Sequence, residues 1–133
     1  MAETANILVV DDEPDTVGLL ELTLRTAGFE IHSARSGQEG LRMALERRFD
    51  LLLLDVMMPD LTGFDLMRSL QELHGASQNA PVIILTARDR PEDRDIGARL
   101  GAVGYLIKPA TRGQLVDVIG QALNSSARRG SGA

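Results

Sequence analysis

The chain has 133 residues, 44% of them hydrophobic and 25% charged, a size and balance that suit one globular domain able to bury most of its surface. Its 14 basic and 19 acidic residues leave a net charge of −5, which argues against direct nucleic-acid binding by this chain, because neutralising phosphates takes a basic patch. No run approaches the ~20 apolar residues of a membrane span, the start Met1-Ala-Glu-Thr-Ala-Asn6 carries an acid where an export signal is basic, and there is no cysteine, so no membrane role and a cytoplasmic location are expected.

The first apolar run, Asn6-Ile-Leu-Val-Val10, predicts a strand, and Val17, Leu20, Leu24 and Ala27 fall on one stripe of a helix near 14–27. Gly28 follows where a left-handed cap is common. A second strand is expected at Glu30-Ile-His-Ser-Ala34, then a helix near 36–48 with Ser36 and Glu39 at capping-box spacing and Leu41, Ala44 and Leu45 inward. Leu51-Leu-Leu-Leu54 reads as a third strand, followed by a helix near 63–74 with Met67, Leu70 and Leu73 on its apolar stripe. Pro81-Val-Ile-Ile-Leu85 and Gly104-Tyr-Leu-Ile107 are the fourth and fifth strands. The helix between them, near 91–101, is the weakest, with few large apolar residues and Gly97 inside it, and this marks it as a candidate for movement. Thr111 and Gln114 open a last helix near 111–124 with Leu115, Val118, Ile119 and Ala122 inward. The domain is expected over 1–124, and the small polar residues 125–133 read as a flexible tail or the start of a linker.

Strands alternating with helices imply an α/β fold with a parallel sheet covered on both faces. Three of the strands are continuously apolar, as fully covered strands are. In such a sheet, ligands collect beyond the carboxyl ends of the strands. Polar residues stand at those ends: Asp11 and Asp12 after the first strand, Asp55 after the third, Thr86 after the fourth and Lys108 after the fifth. Carboxylates brought together raise their own pKa values, and hard oxygen donors without His or Cys suit Mg²⁺, or Mn²⁺ as the alternative, better than zinc. An aspartate is a competent phosphoryl acceptor when the incoming charge is neutralised and the attacking oxygen is held in line. Asp55 is the candidate, with Lys108 as point charge and the Thr86 hydroxyl as donor to the phosphoryl oxygens. Lys108 is the one lysine in the chain. Each residue also has a plainer reading: Asp12 as the cap of the Pro14 helix, Thr86 as β-branched strand filling, Lys108 as a snorkelling surface side chain.

Taken together, Asp11-Asp12, Leu-Leu-Asp55-Val-Met-Met-Pro59 with Gly63, Ile-Leu-Thr86-Ala87 and Tyr105-Leu-Ile-Lys108-Pro109 resemble the receiver domain of bacterial two-component response regulators, over about residues 6–124. The resemblance implies a flavodoxin-like (βα)5 three-layer sandwich with sheet order 2-1-3-4-5. It implies that Asp55 accepts phosphate from a sensor histidine kinase, a phosphotransfer protein or a small phosphodonor. Asp12, Asp55 and the backbone carbonyl of Met57 would hold Mg²⁺, with Asp11 acting through water. Thr86 and Tyr105 would form a switch pair, and the Lys108-Pro109 bond would be cis. Catalysis would extend only to the domain's own phosphorylation and dephosphorylation, with output through a partner or effector domain; a phosphorylation-dependent homodimer is left open by the sequence. Ala110 and Gly104 depart from the commonest pattern, which has phenylalanine after Lys-Pro and an acid before the aromatic residue. Met57 and Arg88 occupy positions that influence the dephosphorylation rate in this family.

Two rivals share parts of the pattern. A haloacid-dehalogenase-like phosphatase uses an aspartyl phosphate, but needs its nucleophile at the end of the first strand, a second acid two positions later and acids after the lysine. Only Asp11, Glu13 and Asp117 approximate these. A flavodoxin-like FMN binder needs amide donors after the first strand, where Asp-Asp-Glu-Pro-Asp15 would repel a phosphate.

Overall fold

The computed structural model describes residues 4–131, with side chains described through residue 126. Strands and helices alternate: β1 (Asn6–Val10), α1 (Pro14–Thr26), β2 (Glu30–Ala34), α2 (Gly37–Glu46), β3 (Leu51–Leu54), α3 (Gly63–Leu73), β4 (Val82–Thr86), α4 (Pro91–Arg99), β5 (Gly104–Ile107) and α5 (Arg112–Ser131). The strands form one parallel sheet in the order β2-β1-β3-β4-β5, with Leu8 level with Leu52 and Leu53 level with Ile83.

A strand's side chains alternate between faces, and the core divides accordingly. Leu8, Val10, Leu52, Leu54, Val82 and Ile84 pack with Ala44 of α2 and Leu66, Met67 and Leu70 of α3. Ile7, Val9, Leu51, Leu53, Ile83 and Leu85 point the other way, onto Leu20 and Leu24 of α1 and Leu115, Ile119 and Ala122 of α5. The three central strands are buried along nearly their whole length because helices cover both faces, whereas β5, at the sheet's edge, is only half-buried.

The helix signals act as expected at most ends. Ser36 Oγ accepts the Glu39 amide at 3.1 Å, and Thr111 and Gln114 bond reciprocally at 2.9 and 3.1 Å. Gly28 takes φ +99° after α1. Two expectations are corrected. Leu73 is exposed rather than on the buried stripe of α3: it is the last residue of the helix, next to the left-handed turn at His74, where the chain leaves the sheet. The last helix continues to Ser131 instead of ending near 124. Extending a formed helix is cheap, and Ala127, Arg128 and Arg129 are good helix formers with no proline among them. Residues 132–133 of the expected tail lie outside the described residues. No described helix is long and apolar enough to cross a membrane.

Candidate phosphoryl-acceptor site

The sheet order reverses between β1 and β3, and in an open parallel sheet the crevice at such a reversal is where ligands are held. Asp11 and Asp12 directly follow β1, and Asp55 directly follows β3. Ladder pairing continues past both strand ends. The Asp11 amide donates to the Ala34 carbonyl at 3.1 Å, and the Asp55 amide to the Val10 carbonyl at 3.0 Å, so the backbone fixes where these side chains begin. One carboxylate oxygen from each of Asp11, Asp12 and Asp55 lies within 4.8 Å of the others. Asp11 and Asp55 are buried, and Asp12 is exposed.

Lys108, just past β5, reaches across to this cluster. Its ammonium donates to Asp11 Oδ2 at 2.6 Å and to Asp55 Oδ2 at 2.8 Å, and the Lys108-Pro109 bond is cis. Burial alone would lower the lysine's pKa, but its hydrogen bonds to Asp11 and Asp55 outweigh that and hold it above the ordinary value. For Asp11 the balance falls the other way: burial pushes its carboxyl up despite the hydrogen bonds from Lys108 and the Glu13 amide. Three carboxylates against one ammonium leave two uncompensated negative charges in the crevice. A hard dication fits both that deficit and the all-oxygen donor set.

The loop from Asp55 to Thr62 is held at four places. The Met57 amide donates to Asp55 Oδ1 at 3.1 Å and sets the plane of the carboxylate. The Gly63 amide donates to the Val56 carbonyl at 3.1 Å, and a Cβ on Gly63 would run into the Asp55 carbonyl oxygen, so only glycine permits this approach. Thr62 and Asp65 form a capping box that starts α3. Asp60 accepts the free amides of Gly37 and Gln38 at the start of α2, at 3.0 and 2.9 Å. The Gln38 amide first, joined by that of Gly37, holds its carboxyl below the ordinary value against the cost of burial.

Thr86 ends β4 fully buried, and its Oγ1 accepts the Arg88 amide at 3.3 Å. Tyr105, on the neighbouring β5, is half-buried and donates its hydroxyl to the Arg88 carbonyl at 2.8 Å. Burial, and then the Asp93 charge, raise the phenol's pKa. The side chain of Met57 is exposed. The structure thus gathers Asp11, Asp12, Asp55 and Lys108 in direct proximity and sets Thr86 and Tyr105 one and two strands over. Sequence reasoning missed Asp60 and Asp93. For Asp93 a signal was present: it shares helical spacing with Ile96, Gly97 and Leu100, and so lies on the inner stripe.

The plainer readings of Asp12 and Lys108 do not match this geometry, whereas Thr86, fully buried in β4, also fills its strand. Glu13, not Asp12, is the N-cap residue of α1, and it makes no side-chain capping bond. The Lys108 ammonium is in a double ion pair rather than turned to solvent. Glu13 accepts the Thr16 hydroxyl at 2.8 Å, and Asp117 is exposed on α5, so neither supplies the second acid a phosphatase of the rival type requires at this site.

Known proteins carry the same pattern. Residues 7–120 match the response regulator receiver domain family. The transcriptional regulatory protein PrrA of Mycobacterium tuberculosis is 40% identical over 125 residues, which is 94% of this chain and 51% of that protein. The chain therefore spans about half the length of this relative. Among solved structures, a CheY-like response regulator receiver domain protein from Methanospirillum hungatei superposes with a TM-score of 0.88 at 25% identity, covering 96% of this chain and 99% of that one. The receiver domain of the sensor histidine kinase PA1611 from Pseudomonas aeruginosa, solved with magnesium in its active-site cleft, has a TM-score of 0.82 at 28% identity, over 92% and 99% of the two chains. With the fold, the sheet order and the acidic crevice in agreement, this chain belongs to the response regulator receiver domain family.

Proposed function

We propose that Asp55 is the phosphoacceptor of a two-component signalling switch, taking its phosphoryl group from a sensor histidine kinase, a phosphotransfer protein or a small acyl phosphate. The observation that carries this reading is the Lys108 ammonium, shared at 2.6 and 2.8 Å between Asp11 and Asp55 in the crevice where the sheet order reverses.

In the reaction, a carboxylate oxygen of Asp55 attacks phosphorus while the bond from phosphorus to the donor's imidazole nitrogen, or to an acyl oxygen, breaks. The product is an acyl phosphate, and the leaving group departs with the bonding electrons. Oδ1 is already fixed by the Met57 amide, so little orientational freedom remains to be lost before attack. Lys108, pairing with Asp55 beforehand, stays beside the added charge and compensates it. The Thr86 hydroxyl uses only its acceptor side toward Arg88, which leaves its hydrogen for a phosphoryl oxygen. Asp12, Asp55 and the Met57 carbonyl would hold Mg²⁺, or Mn²⁺ in its place, with Asp11 acting through water. The ion, when bound, supplies charge neutralisation on the phosphoryl oxygens.

The switch follows from Thr86 turning toward the new phosphoryl group and Tyr105 turning inward beside it, which biases α4 and the β5 face between two arrangements. In this reading the protein works in the cytoplasm, catalyses only its own phosphorylation and dephosphorylation, and passes the signal to a partner or effector domain through its switched surface.

Intact-mass measurement tests this. Acetyl phosphate with Mg²⁺ is expected to add one phosphoryl group to the wild type and none to Asp55→Asn. An unmodified wild type, with acetyl phosphate and with phosphorylated kinases alike, or an adduct that survives Asp55→Asn, would overturn it.

A further inference from the structure

Among the described residues the buried polar side chains are Asp11, Asp55, Ser77, Thr86 and Asp93. Ser77 bridges the Phe49 amide and the Arg47 carbonyl, and Asp11, Asp55 and Thr86 belong to the reaction above. Asp93 has no part in it. It sits in the first turn of α4, whose buried residues are Asp93 and Gly97. A negative charge near a helix start is favourable from the solvent side as well, so the helix dipole does not explain why this carboxylate faces inward. Burying it is costly unless it is paired.

Its counter-ion is Arg88, with Nε 2.7 Å from Asp93 Oδ2. The guanidinium N–H is not aimed at that oxygen, and neither atom has an aligned hydrogen bond. Charge holds the pair together without the directional bond that makes buried ion pairs persistent. Arg88 is also where the two proposed switch side chains meet: its amide donates to Thr86 Oγ1 at 3.3 Å, and its carbonyl accepts the Tyr105 hydroxyl at 2.8 Å. On the outer side, Arg94 lies over the Tyr105 ring at 4.9 Å and pairs with Asp89 at 3.1 Å.

We propose that Asp93 is a positioning residue for the switch: through Arg88 it holds Thr86 and Tyr105 in their present arrangement and ties the start of α4 to the loop after β4. The proposal rests on the reading of Asp55 as phosphoacceptor. Negative charge arriving at Asp55 competes for the Arg88 guanidinium. Once Arg88 loosens, Asp93 is left buried without a counter-charge, and α4 has to shift until the carboxylate reaches water. A helix with so little apolar burial can make that shift at low cost.

Asp93→Asn removes the charge and keeps the shape. In amide spectra recorded without any phosphoryl mimic, the signals of Thr86, Arg88 and Tyr105 are expected to move toward their beryllofluoride-bound positions. At saturating Mg²⁺, labelling by acetyl phosphate is expected to quicken by about fivefold or more, the lower end of usual coupling between sites, while Mg²⁺ affinity stays unchanged. The double variant Arg88→Met with Asp93→Asn leaves no charge in this pair, and so carries the test if the single variant folds poorly; its Thr86 and Tyr105 signals are expected to move as in the single variant. Signals that move only near the substituted positions in both variants, or unchanged labelling in a folded Asp93→Asn, would overturn the proposal. A wild type that is never labelled would instead overturn the phosphoacceptor reading.

Discussion

Replacing Lys108 by methionine keeps the aliphatic stem and removes the charge, so it isolates what the ammonium contributes. At an effective dielectric of ~20, each of its contacts, at 2.6 and 2.8 Å, is worth about 6 kcal/mol of Coulomb attraction. Desolvation of the ions takes back several kcal/mol each, and the flexible side chain gives up roughly 2 kcal/mol of rotamer entropy. Breaking a buried pair costs ~3–5 kcal/mol. Here the lysine side chain is 18% exposed, so the expected loss at neutral pH without divalent ions is smaller, about 2–4 kcal/mol. Urea denaturation followed by circular dichroism measures it. The loss has two signatures. Because the lysine's pKa is raised, its contribution is full below pH 10.5 and disappears as pH rises through the higher folded-state value. Millimolar Mg²⁺ should narrow the gap between variant and wild type, since a dication takes over the counter-charge. Equal denaturation midpoints at neutral pH, or a gap that Mg²⁺ leaves untouched, would refute the electrostatic reasoning.

Magnesium itself should raise the melting temperature of the wild type, by the free energy of binding only the native state, and raise that of Asp12→Asn much less; scanning calorimetry with and without the ion makes the comparison. Asp60→Ala, which frees two amides at the start of α2, should cost ~1 kcal/mol at neutral pH. Since the Asp60 pKa is lowered, that contribution is present above pH 3.8 and fades as pH falls through the lower folded-state value, so the two proteins' acid-side unfolding curves should converge. Gly63→Ala forces a methyl group against the Asp55 carbonyl, and overpacking of this kind costs ~1–3 kcal/mol; because the displaced backbone carries the acceptor, acetyl phosphate labelling should slow as well, which stopped-flow or timed mass measurements would detect.

How the elements follow one another was legible from the chain alone. Hydrophobic period and end signals are local properties, and Val17, Leu20 and Leu24, the Leu51–Leu54 run and the Thr111–Gln114 box do in the structure what their spacing implies. Placing Asp11, Asp12, Asp55, Thr86 and Lys108 at one edge was legible too, because every strand of a parallel sheet ends on the same side. Local signals gave out at helix ends: Leu73 keeps its helical phase but lies past the covered part of its helix, and the polar stretch after 124 continues a helix that nothing in it stops.

Only the tertiary structure decided which charges meet. That Lys108 joins Asp11 to Asp55, that Asp60 closes the start of α2, and that Asp93 pairs with Arg88 depend on groups 97, 53, 23 and 5 positions apart in sequence. Their distances are set by strand order and loop path rather than by any repeating period. Composition and periodicity report what one segment prefers against water, whereas an ion pair or a tertiary cap is a relation between segments, and it acquires a sign and a strength only when the fold brings the partners within a few ångströms.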